Sequence, residues 1–269
     1  MSGIPVDNAA YADFAAAMTT GGSNYGWQAY QVTNLSGDNL AMYRLTTDAI
    51  GTALTDTMGP ILLQHGMFSD VYDWLERTDT ITDALPIKLA NAGYDVWLSV
   101  GRGRDGSDTH TTLDLADPIS KALYWDFSFE DQGLDDLEAQ IDEIIAQRGG
   151  LFCSKVQVLA HGSAANAALV GLSENPMLGP KVQQLVALGP CLNMNFTNFW
   201  SGAAAQDPAS VQMLYFLMSG FDNMFGPDFA TELTTKCVGI ESLCAGLFSG
   251  VDSWPYYQLN SRKDYNHVS

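Results

Sequence analysis

Basic residues are scarce in this chain: 12 Lys and Arg stand against 31 Asp and Glu in 269 residues, a formal net charge of −19. Binding to nucleic acid needs clustered Lys and Arg to neutralise phosphates, so the balance argues against that class of function. It also disfavours adsorption to anionic membrane through basic residues. The acidic excess reads as a solvated surface. Long apolar runs are missing as well. No stretch of about 18 apolar residues occurs, so no transmembrane helix is expected. Residues 1–23 contain neither a basic residue nor a continuous apolar core, and Arg44 is the first positive charge. Neither a secretory signal nor an Arg-rich transit peptide is therefore expected in that stretch.

Cysteine and histidine are equally sparse, at four each. Four cysteines are too few for a disulfide scaffold. Cys153 and Cys191 flank expected buried strands and read as small buried thiols. Cys237 and Cys244 are close enough in the chain for a local bridge in an oxidising compartment, with two free thiols as the alternative. Among His65, His110, His161 and His267 no two stand at ligand spacing, so no metal site is expected. No cofactor is expected either. Gly101-Arg102-Gly103-Arg104-Asp105-Gly106 formally matches G-x-G-x-x-G after a strand, with Asp126 about 20 residues on. A dinucleotide site needs a helix to open at those glycines. The next residues, Ser107-Asp108-Thr109-His110-Thr111-Thr112, are polar and β-branched, so the segment is expected to be a loop.

The residues that are present suffice for a core: 46% are apolar and only 16% are charged. Residues 27–33 and 40–46 alternate around Ser36-Gly37-Asp38-Asn39, the pattern of an antiparallel hairpin. Short, mostly apolar runs come after it at 60–64, 94–100, 155–160 and 184–188, suited to strands buried on both faces of a parallel sheet. Helical patterns lie between them. Residues 81–91 end at Ala92-Gly93, a glycine stop signal. Residues 129–148 place Leu134, Leu137, Ile141, Ile144 and Ile145 on one stripe, with carboxylates opposite, and stop at Gly149-Gly150. Residues 163–172 are small and apolar and can pack closely on a sheet. Strands alternating with helices predict an α/β fold, a mostly parallel sheet with an N-terminal antiparallel hairpin. After Pro190 the pattern changes: 196–247 is rich in Met, Phe and Ala at helical spacing, with no convincing strand. Three regions are expected: an extension over 1–24, an α/β core over 25–190, and a helical cap-like region with a tail over 191–269.

Two segments carry the marks of chemistry. Gln64-His65-Gly66-Met67 succeeds a buried strand, where a backbone N–H can serve an oxyanion; a plain strand-to-loop turn is the alternative. Leu159-Ala160-His161-Gly162-Ser163-Ala164-Ala165 joins the strand at 155–160 to the small-residue helix, the setting of a nucleophile elbow. Two glycosylation sequons, Asn34-Leu35-Ser36 and Asn195-Phe196-Thr197, are compatible with secretion and also arise by chance.

Further motifs give these segments a context. They are Tyr25-Gly26-Trp27, Asp38-Asn39-Leu40 through Arg44-Leu45, Pro60-Ile61-Leu62-Leu63-Gln64-His65-Gly66, Asp73-Trp74, Ala92-Gly93-Tyr94-Asp95-Val96-Trp97-Leu98 and Arg102-Gly103. Tyr124-Trp125-Asp126-Phe127-Ser128-Phe129-Glu130-Asp131, followed by Leu134-Asp135-Asp136-Leu137, completes the series. In order and spacing they resemble the acid lipase family, the gastric and lysosomal lipases and their relatives, over residues 25–190. The resemblance implies an α/β-hydrolase fold with a helical cap after the sixth strand, chemistry on lipid esters, and a secretory or lysosomal origin. It also implies that Met67 and Ser163 supply the two oxyanion N–H groups.

The same resemblance singles out what the elbow lacks. The family elbow reads Gly-His-Ser-Gln-Gly, and alignment on its histidine puts Ala160, His161, Gly162, Ser163 and Ala164 in those places. Gly162 stands at the nucleophile position and has no oxygen with which to attack an ester. Ser163 is then a helix N-terminal residue, or a nucleophile shifted by one. The family places its acid and histidine after further strands, but no strand ending in aspartate follows Pro190, so those C-terminal strands are expected to be missing. Tyr265-Asn266-His267 superficially resembles the motif around the family's histidine; a loose terminal His267 is the alternative. The leading expectation is a catalytically inactive relative that serves as a structural or interaction subunit, with a protein partner at the sheet edge or cap. The second is an ester hydrolase that uses Ser163 and His267 or is completed by another chain. The third is a lipid-binding module that holds an acyl ligand.

Overall fold

The computed structural model describes residues 4–19, 25–66, 69–75, 81–149 and 155–190. Strand β1 (Ile4–Val6) and helix α1 (Ala12–Met18) come first, ahead of the region that resembles the acid lipases. Both are built into the same core. β1 pairs antiparallel with β2 (Gly26–Thr33), and α1 buries Phe14, Ala17 and Met18. Phe14 stacks on Tyr43 with ring centroids 3.8 Å apart and meets the edge of Trp27 at 4.8 Å.

β2 and β3 (Asp38–Thr47) form the expected hairpin, with Thr33 opposite Asn39. Asn34 shapes its turn: the side-chain Oδ1 accepts from the N–H groups of Gly37 and Asp38, both at 2.8 Å. Gly37 sits at φ 103°, a conformation that suits glycine. The amide nitrogen of Asn34 is engaged as well, donating to Asp38 and Asp136 inside the protein. With that nitrogen buried and bonded twice, the Asn34 sequon is closed to glycosylation in the folded chain.

Next come β4 (Gly59–Gln64), α2 (Leu85–Asn91), β5 (Tyr94–Ser99), the short β6 (Thr109–His110), α3 (Pro118–Tyr124) and α4 (Phe129–Asp131). A π-helical turn, Gln132–Asp136, runs into α5 (Leu137–Gln147), followed by β7 (Val156–His161), α6 (Ser163–Glu174) and β8 (Val182–Leu188). The sheet order is β1-β2-β3-β5-β4-β7-β8, with β6 on β3. β5, β4, β7 and β8 run parallel, and β3 joins β5 antiparallel. This is the expected α/β sheet: mostly parallel, open, and led by an antiparallel hairpin. Val96, Trp97 and Leu98 of β5 and Leu62 and Leu63 of β4 are wholly buried, because helices and loops cover both faces of the middle strands.

Three details differ from the sequence expectation. The helix over 81–91 is broken: a 3₁₀ turn, Ile81–Asp83, precedes α2, whose first turn holds Pro86. Proline lacks an N–H and is tolerated only there, so the helix restarts at it. The stripe over 129–148 is interrupted by the π turn. Leu137, Ile141 and Ile144 are buried, but Leu134 and Ile145 are only half-buried, while Gly133, Asp136 and Glu143 point inward. One cause is a close helix crossing. A Cβ on Gly133 would stand 2.1 Å from the Ala167 carbonyl oxygen, and one on Gly171 would stand 2.2 Å from the Gly133 oxygen. Finally, β8 is not buried on both faces. Gln183, Gln184 and Leu188 are exposed, since β8 is the last strand on its side among the described residues.

The expected cap and tail over 191–269 lie outside the described residues, and so does the question of strands after β8. Cys153, Cys191, Cys237 and Cys244 lie outside them too, as does Asn195. Among the described residues, no helix is long and apolar enough to cross a membrane.

Candidate active-site elbow

β7 ends at His161, Gly162 makes the turn, and α6 begins at Ser163. This is the strand–turn–helix the sequence predicts. Gly162 holds φ 57° and ψ −120°, which a residue with a Cβ adopts only under strain. Its N–H donates to the Leu188 carbonyl at 2.9 Å, tying the turn to the end of β8. Its own carbonyl accepts from Ala165 at 3.1 Å and from Asn166 at 3.4 Å. A Cβ built on Gly162 meets only the Gly66 Cα, at 3.8 Å, an ordinary contact. The turn therefore has both the backbone and the room for a nucleophile, and the residue there carries none.

Ser163 takes the first helical position and is half-buried. The N–H groups of Ser163 and Ala164 precede the first bond of the helix, so they remain donors at its positive end. Met67, the other expected oxyanion donor, lies outside the described residues, and so does His267. His161 is exposed beside the turn after β4: a Cβ on Gly66 would come within 3.2 Å of the His161 oxygen and 3.3 Å of its Nδ1. Glycine at position 66 is what lets the two turns approach. The elbow offers donors to a negative charge, but position 162 can attack nothing.

His65 has a role that spacing in the sequence does not reveal. Its ring is buried and both nitrogens are committed: Nδ1–H donates to the Gly66 carbonyl at 2.9 Å, and Nε2 accepts from the Gly101 N–H at 2.8 Å. That pairing defines one neutral tautomer. Burial, together with the neighbouring Arg104 guanidinium, pushes its pKa down to about 4. His65 is thus a neutral pin between the turns after β4 and β5 rather than a base. The local signal is His65 beside Gly66, but its partner Gly101 is 36 residues away in the chain. Only the parallel register of Gln64 with Ser99 brings the two together.

The G-x-G-x-x-G segment is a run of turns and no helix opens at it. Gly103 N–H donates to the Ser107 carbonyl at 2.8 Å and Arg104 N–H to the Gly101 carbonyl at 3.1 Å. Gly103, at φ 80°, lies under the Trp125 ring. Those glycines serve turn geometry and close packing. Among the described residues no group of three His, Cys, Asp or Glu side chains is placed to hold a metal ion.

Comparison with known proteins finds lipases similar in sequence to this chain. Over 173 residues the chain is 30% identical to human lipase member K, covering 64% of this chain and 41% of that protein. It is 30% identical to mouse gastric triacylglycerol lipase over 176 residues, or 64% of this chain and 42% of that protein. It is 32% identical to rat lysosomal acid lipase/cholesteryl ester hydrolase over 135 residues, 50% of this chain and 32% of that one. The chain is similar to the acid lipases over 64% of its length. It spans about two-fifths of the length of lipase member K and of the gastric lipase. No family model matches it. Among solved structures, an epoxide hydrolase from Vigna radiata overlaps 70% of this chain and 50% of its own, with a TM-score of 0.38 and 16% identity. A bacterial brefeldin A esterase overlaps 85% and 57%, with a TM-score of 0.39 and 14% identity. Likeness at that level carries no weight beside the strand order itself.

Proposed function

We propose that this chain is catalytically inactive and acts as an interaction or structural subunit of a larger assembly. The observation that supports this reading is Gly162: the elbow keeps its backbone but has no side chain at the turn. A nucleophile contributes orders of magnitude to acyl transfer, and the oxyanion donors alone leave only a small residual. Ser163 does not replace it, because its N–H stands where an oxyanion donor belongs and its side chain starts one residue into the helix. The partner in this reading is a protein chain that adds a parallel strand to β8. Its exposed Gln183 and Gln184 and its single ladder among the described residues favour that edge.

Two measurements on the native protein test it. Short-chain ester turnover should not rise above the uncatalysed rate, and native mass spectrometry should find a co-purifying chain. Turnover that Ser163→Ala abolishes would instead establish a hydrolase with a shifted nucleophile. Turnover that survives Ser163→Ala but requires a second polypeptide would establish an enzyme completed in trans. A co-purifying lipid without turnover would establish the lipid-binding alternative.

A further inference from the structure

Four polar side chains from four segments meet in one buried place. They are Asn34 in the hairpin turn, Asp38 at the head of β3, Arg102 in the loop after β5, and Asp136 in the π-helical turn. None is more than 8% exposed. Arg102 donates to Asp136 through Nε at 3.1 Å and Nη2 at 2.6 Å, and its Nη1 lies 3.0 Å from Asp38 Oδ2. Asn34 Nδ2 donates to both carboxylates, at 3.1 Å to Asp38 and 2.7 Å to Asp136. The Phe127 ring covers the guanidinium, 5.0 Å from centroid to Cζ.

The charges of these four side chains do not balance. Arg102 is a single cation paired with both carboxylates. With both carboxylates ionised the four side chains carry a net charge of −1 out of water, which is costly. Other charged and titratable groups stand close by. Asp135 lies next in the chain and is bonded to Ser36, and Asp131 caps the start of the same helix. From α3, Tyr124 donates its hydroxyl to the Ser107 carbonyl, with Asp108 nearby. His110 bonds the Ser36 carbonyl at the hairpin turn.

We propose that this cluster is a proton-linked latch: under mildly acidic conditions folding draws one proton onto Asp136, which removes the excess negative charge buried where hairpin, loop and helix join. Burial pushes the Asp136 carboxyl up to about 6 against the pull of Arg102, and Asp38 adds to the push. A carboxyl raised on folding contributes its full stability below the ordinary value of 3.8 and loses it as pH rises through about 6. The latch does not depend on whether the elbow is catalytic.

Asp136→Asn in the full chain keeps the shape of the protonated group and removes its titration. The folding equilibrium constant of this variant, divided by that of the native chain at the same pH, should fall about fifty-fold between pH 7 and pH 4. His65 titrates in the same window with the opposite sign and cancels in that ratio. A ratio that does not change with pH overturns the proposal. Should the variant fail to fold, carboxyl-carbon NMR of the native chain decides. A buried aspartate half-protonated near pH 6 supports the latch, and buried aspartates ionised down to pH 4 refute it.

Discussion

The Gly162 elbow and the Asp38–Arg102–Asp136 cluster lie at the same end of the sheet, after parallel strands that flank β4, and they treat polar groups in opposite ways. At the elbow an unusual backbone is kept and no reactive side chain is committed to it. In the cluster every polar side chain is committed and almost nothing is solvated. The difference separates stability from chemistry. Glycine at 162 carries the positive φ of the turn without the strain a side chain would add there. Loss of Arg102 strands two buried carboxylates.

The contrast breaks most directly at Arg102. Arg102→Met should cost about 4 kcal/mol, the range for removing one partner of a buried ion pair, measured by urea denaturation. A loss below about 1 kcal/mol would mean the cluster is ornamental to the fold. The second effect concerns the pin between the two turns. His65 has its pKa depressed from 6.5 to about 4 on folding, so the stability it contributes is present above pH 6.5 and drains away as pH falls towards 4. The advantage of the native chain over His65→Gln should shrink by on the order of 3 kcal/mol across that window. A constant gap would show that the ring nitrogens are not held as described.

A third change tests packing away from both sites. Gly133→Ala forces a methyl onto the Ala167 carbonyl and should lower stability by about 2 kcal/mol, within the range for overpacking. An unchanged midpoint would mean the π turn relaxes freely. The smallest effect belongs to the elbow. Gly162→Ser has room for its Cβ and should cost about 1 kcal/mol through its positive φ alone. In the proposed reading it brings no ester turnover, since one triad member contributes little without its partners. Turnover in this variant would reveal an acid and a base already poised around the turn, and the proposal of an inactive subunit would then fall.

Much of this architecture is legible in the residues. The hairpin, the parallel runs, the glycine at 93 and the turn at 162 all follow from local pattern, because alternation, apolar runs and left-handed glycines are properties of neighbouring residues. The break before Pro86 and the π turn at Gln132–Asp136 are less legible. The first trades a continuous apolar stripe against one missing N–H. The second answers a glycine crossing with α6 that no periodicity within residues 129–148 encodes.

The site divides along the same line. That position 162 lacks an oxygen is a matter of covalent chemistry, readable from the chain before any folding. That Gly162 turns through a positive φ between strand and helix is visible only in the folded chain, where Leu188 holds its N–H and Gly66 stands opposite. The same holds for His65 and Arg102. Each reads as one residue of a motif, and each acquires its role from partners 34 to 36 positions away that only the sheet register and the helix crossing bring within bonding distance. Residue types settle which reactions are open to a chain. Long-range packing settles which of its charges are buried, paired and able to hold a proton.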